Sequence, residues 1–199
     1  MAKKQPIPNW IYVILAILAL VPIVTVVVIG KYMVPKMYSA AKATAALGKD
    51  DTLQYRGQTI QLSKAYADFD EYKNDPNNIA ASETARVQQL VMTAPIADRY
   101  PTREALVAAV MEIEFPGYGM TAFGEVPQAD GSTLTGFAIE IPRLDRERII
   151  VFQPKNGAYK LLDDFLGPPD IMEVRVQNGQ LRYLDARQQL VLSRPILQK

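Results

Sequence analysis

Apolar and polar positions follow three successive patterns along the chain. Residues 10–30, WIYVILAILALVPIVTVVVIG, are almost wholly apolar, and no charge falls between Lys4 and Lys31. At ~1.5 Å per helical residue this run spans about 30 Å, the thickness of bilayer hydrocarbon, and it predicts a transmembrane helix. Trp10 and Tyr12 at one end and Tyr32 at the other stand where amphipathic rings meet lipid headgroups, and Lys31 and Lys36 reach the same interface. Pro22 lies mid-span and predicts a kink, tolerated in lipid where neighbouring groups satisfy the freed carbonyl.

Helical recurrence comes next. Residues 31–49 are alanine-rich, with Pro35 near the start and Gly48 as a stop, and read as a helical stalk. TLQYRGQTIQL then predicts a hairpin turning at Arg56-Gly57. Three helical stretches follow. In 63–76 Ser63 is the expected cap and Asp75-Pro76 the stop; in 82–95 Ser82 is the expected cap, with Val87, Leu90, Val91 and Ala94 on one face. In 102–115 Thr102 caps a stripe of Leu106, Ala109, Val110 and Ile113.

From about Gly119 the period shortens to two. Extended runs alternate with Asp130-Gly131, Asn156-Gly157 and Asn178-Gly179, dipeptides whose residues tolerate the positive φ of tight hairpins, and together they predict an antiparallel meander. Met172, Val174 and Val176 are expected to face the core, and Glu173 and Arg175 the solvent. Helices followed by strands indicate an α+β domain with two or three helices on one face of the sheet. The organisation is therefore a short basic tail (1–9), an anchor (10–30), a stalk (31–49) and a domain (50–199).

Charge divides along the same boundary. Six of the 22 basic residues and none of the 21 acids fall in residues 1–49, which leaves 16 bases against 21 acids beyond, a net of −5. Lysines beside the span suit membrane lipid, whereas an acidic domain speaks against nucleic acid as a partner. The apolar run exceeds a signal-peptide core of ~7–15 residues and Ala41-Lys42-Ala43 lies well beyond it, so the anchor is expected to be retained. Counting flanking lysines slightly favours an external N-terminus, but large domains translocate largely regardless of charge. The expectation is a single-pass protein with a cytoplasmic N-terminus and an extracytoplasmic, periplasmic domain.

Cysteine and histidine are both absent. Disulfides, thiolate nucleophiles, His-based triads and Cys- or His-ligated zinc, haem or iron–sulfur sites are excluded. The acidic group Asp68, Asp70, Glu71 and Asp75 does not fit a calcium loop: counting from Asp68, position six is Lys73 and position twelve Ile79. The carboxylate pairs Glu112/Glu114 and Asp163/Asp164 have no neighbouring nucleophile or phosphate cradle. Arg143, Arg146 and Arg148 alternate with Asp145 and Glu147 and read as a solvated turn. No catalytic, cofactor-binding or metal-ligating residue is assigned, and an enzyme is not expected.

FPGYG, residues 115–119, is the remaining motif. Pro116-Gly117 supplies a tight reversal between helix and sheet. Phe115 and Tyr118 are explained as core aromatics, as a partner-docking corner together with Pro116 and Gly117, or as a ligand lid. The expected role is an accessory, structural or assembly subunit of a membrane complex, with other membrane subunits as partners. A tethered ligand-binding or sensory domain is the alternative, and a carboxylate-dependent hydrolase a more distant one. The span has no GxxxG, so homo-oligomerisation is not indicated.

Overall fold

The computed structural model describes Leu47, residues 50–127 and residues 133–196. The anchor residues Trp10, Tyr12, Pro22, Lys31 and Tyr32, nearly all of the stalk, and the Asp130-Gly131 turn lie outside them. Among the described residues no helix is long and apolar enough to cross a membrane.

The described chain is α+β, with antiparallel sheets and three helices. Strands β1 (Thr52–Tyr55) and β2 (Gln58–Gln61) form the expected hairpin, with Arg56 and Gly57 at φ 49° and 74°. Helix α1 (Phe69–Asn74) is shorter than predicted: Asp68, not Ser63, caps it by accepting the Glu71 N–H at 2.9 Å. Ser63 instead bonds the Tyr66 hydroxyl. Helix α2 (Ala81–Thr93) starts before Ser82, with Ala80 at the cap and no side-chain cap bond. After the two-residue β3 (Arg99–Tyr100), α3 (Arg103–Met111) is capped by Thr102 as expected.

The strands do not form one meander. β4 (Met120–Pro127), β5 (Thr133–Glu140), β6 (Glu147–Lys155) and β7 (Ala158–Gly167) pair in sequence, with β3 added beside β7. β8 (Glu173–Gln177), β9 (Gln180–Leu184) and β10 (Leu190–Pro195) form a separate three-stranded sheet. The break falls at Gly167-Pro168-Pro169, where two consecutive prolines remove the ladder donors.

The central sheet is covered on both faces. Because cross-strand partners share a face, Phe137, Ile139, Ile150, Phe152 and Leu161 point together into a core completed by the β1–β2 hairpin and the helices. Ala138, Ile149, Val151 and Leu162 point the other way, against Val174, Leu181 and Tyr183 of the small sheet. Two registers are corrected. Met172 lies just outside β8 and is 49% exposed while Val174 is buried. Arg148 is not in a solvated turn: it is two residues from Ile150, shares its inward face, and is buried.

Candidate functional site

The FPGYG corner is held from three directions. The Tyr118 N–H donates to the Phe115 carbonyl at 3.2 Å and Gly117 has φ 88°, the signature of a type II turn with Pro at its second position. Tyr72 of α1 donates its hydroxyl to the Pro116 carbonyl at 3.1 Å. Tyr55 of β1 donates to the Ile113 carbonyl, and its ring meets Phe115 edge-on at 4.9 Å. Tyr118 stacks edge-on with Phe115 at 5.8 Å and donates to the Asn78 side-chain oxygen at 2.9 Å. Burial raises the pKa of all three tyrosines, Tyr55, Tyr72 and Tyr118.

Of the four residues assigned to docking, Phe115 and Pro116 are buried and Gly117 and Tyr118 half-buried. The core-packing account therefore explains Phe115. Its burial leaves the Phe115 ring no face for a partner, Tyr118 is half-exposed, and the corner joins the hairpin, α1 and α3 to the sheet.

Of the carboxylates named from the sequence, Glu71 and Asp75 meet across Lys64, at 2.9 and 3.8 Å from its Nζ, and the pairs proposed for acid–base work do not converge. Asp163 and Asp164 are adjacent in a strand and so point to opposite faces. Glu112 is exposed at the end of α3 and Glu114 is buried. Glu71 is held below the usual carboxylate range, chiefly by the Ala67 N–H and then by Lys64, and Asp75 likewise by the Asn77 N–H. Neither is shifted toward a general acid.

Residues that sequence patterning passed over lie at both ends of the face shared with the small sheet. At one end Glu140 stands directly opposite Glu147. Half-burial, then the charges of Glu140 and Asp170, push Glu147 up to about 7. At the other end Arg99 stands opposite Lys160, with Lys155 close by. In the sequence Glu147 reads as part of a solvated turn and the others as ordinary surface charge, and only the register brings them together.

The small sheet offers an edge. β10 is its outer strand, and Leu190 and Val191 are 48% and 38% exposed. Leu190 is opposite Leu184, whose carbonyl accepts the Met172 N–H at 2.9 Å, so exposed Met172 lies at the same end of the sheet. Leu190 and Val191, exposed on a strand whose outer edge is unpaired among the described residues, suit addition of an extended segment along β10.

Comparison with protein-family models, curated proteins and solved structures gave no match.

Proposed function

We propose that the chain is a single-pass, membrane-anchored accessory or assembly subunit that holds an extended segment of a partner subunit against β10. The observation that carries the reading is exposed Leu190 and Val191 on β10, the outer strand of the small sheet among the described residues. Main-chain bonds along such an edge supply affinity, and alternate side-chain pockets supply selectivity. The apolar run at residues 10–30 and the lysines that flank it support a place at the membrane. The reading keeps the domain on the extracytoplasmic side, against the slight preference of the lysine count, because large domains translocate largely regardless of charge.

This moves the docking surface away from Phe115, Pro116, Gly117 and Tyr118. Those residues support the surface indirectly, by fixing the domain's other layer. No step of chemistry is assigned. A tethered ligand-binding role is the second reading, favoured by the cationic cleft at Arg99, Lys155 and Lys160.

The partner reading is tested by solubilising membranes in mild detergent and comparing what co-purifies with the native chain and with Leu190→Lys/Val191→Lys. Both side chains are exposed, so the fold should persist while the partner is lost. Equal recovery of the partner with the double variant would refute docking at β10.

A further inference from the structure

The face of the central sheet that carries the small sheet continues past it, and there the register lines up cations. Arg99 of β3 stands directly opposite Lys160 of β7, which stands opposite Gln153 of β6. Lys155, two residues beyond Gln153 in the same strand, shares their face. With Asp98 and Asn156, these three cations line an open cleft of about 380 Å³.

Such a cluster is costly by itself. Like charges directly opposite one another weaken a sheet, and here they gather in a region whose acids outnumber its bases by five, 21 against 16. Three cations and one aspartate give the cleft a local charge of +2. Among the described residues no ion pair takes up Arg99 or Lys155.

The platform beneath them is rigid. The Leu161 N–H donates to the Asp98 carbonyl at 2.8 Å, and the ring of Tyr100, beside Arg99, packs edge-on against buried Phe152 at 5.6 Å. Lys155 is fixed at the mouth of a two-residue turn in which Asn156 and Gly157 have φ 52° and 73°. A cleft with a preset frame needs little reordering to take a ligand.

We propose that this cleft binds a phosphate group, with Arg99 supplying a planar fork of donors and Lys155 and Lys160 acting as point charges. Phosphate monoesters carry about −1.5 to −2 charge near neutrality, matching the cleft's net charge, and three acceptor oxygens for its donors. The group belongs either to a soluble phosphate or to a lipid headgroup beside the anchor. The inference is independent of the partner at β10.

The test uses the full chain in neutral detergent, followed by amide-resolved NMR. One arm adds inorganic phosphate at constant ionic strength, with chloride as the control. The other places the chain in phosphatidylcholine nanodiscs with or without phosphatidic acid, whose headgroup is a phosphate monoester. The expected result is a saturable shift confined to Arg99, Lys155, Asn156 and Lys160. Each of Arg99→Gln and Lys155→Gln should weaken binding by about tenfold, the loss of one charge-assisted contact, while Arg146→Gln, just before the far end of β6, leaves it unchanged. Both substituted residues are exposed, so the remaining spectrum should not move. A response to inorganic phosphate assigns a soluble source, and a response only to phosphatidic acid assigns the lipid headgroup. No saturable shift in either arm, or shifts that survive both substitutions, would overturn the proposal.

Discussion

Asp163 and Asp164 are consecutive in β7 and fasten opposite layers of the domain. Asp163, fully buried, accepts the Tyr183 hydroxyl at 2.9 Å and Arg194 Nε at 2.7 Å, both from the small sheet. Arg194 also lies over the Phe165 ring at 4.2 Å, adding a cation–π contact to this side. Asp164 accepts Arg148 Nε and Nη2 at 2.8 and 2.7 Å, a two-pronged pair on the helical side. Arg148 Nη1 then donates to the Val91 and Ala94 carbonyls at the end of α2, at 3.0 and 2.7 Å. One guanidinium thus ties strand to strand and closes a helix terminus whose last carbonyls have no intrahelical partner.

Removing one member of that pair strands the other. Asp164→Leu leaves the buried Arg148 charge without its carboxylate and should cost about 3 kcal/mol or more in chemical denaturation. Arg148→Met/Asp164→Leu removes both charges together, so its loss should fall short of the sum of the two single losses by about 1 kcal/mol or more. Strict additivity would show that the pair does not couple.

The FPGYG corner should fail by two separate routes. Phe115→Ala empties a fully buried ring position and should destabilise by about 3–5 kcal/mol. Gly117→Ala acts through the backbone, because φ 88° is unfavourable for a side chain and the new Cβ would meet the Tyr72 ring at 3.0 Å. A loss of about 1–2 kcal/mol is expected by thermal or denaturant unfolding. If Gly117→Ala were neutral, the turn would have a conformation other than type II.

Glu147 makes stability fall as pH rises. Its folded-state pKa of about 7 lies above the ordinary value of 4.5, so the folded chain holds the proton more tightly than the unfolded chain. Between those values the native state binds more protons, and unfolding free energy declines with pH until both forms are ionised. Glu147 is only half-buried, so solvent screening reduces the effect to on the order of 1–2 kcal/mol. Glu147→Gln should flatten this decline and unfold later than the native chain at pH 8. Equal slopes for both proteins between pH 4.5 and 7 would remove Glu147 as the cause.

Local signals were the readable part of this fold. Asn156-Gly157 and Asn178-Gly179 turn where their dihedral tolerance says they should, and Thr102 caps its helix, because each outcome depends on a few adjacent residues. Asp68 displaced Ser63 as a cap because the chain from Leu62 is first committed to a bridge with Ile79, which delays the helix. The division into two sheets was written in Pro168-Pro169 but is outweighed, in a strand-by-strand reading, by the regular alternation on either side. Arg148, Glu147 and the Arg99–Lys160 pair were not legible. Their environments come from register and from the layer each face meets, and neighbouring sequence encodes neither.

The most direct test of the partner reading is mild-detergent extraction of native membranes, size separation, and mass spectrometry of whatever travels with this chain. The account predicts a defined complex well above the chain's own mass of 22.2 kDa, with the same partner in each preparation. A chain recovered alone, at its own mass plus detergent, would contradict it.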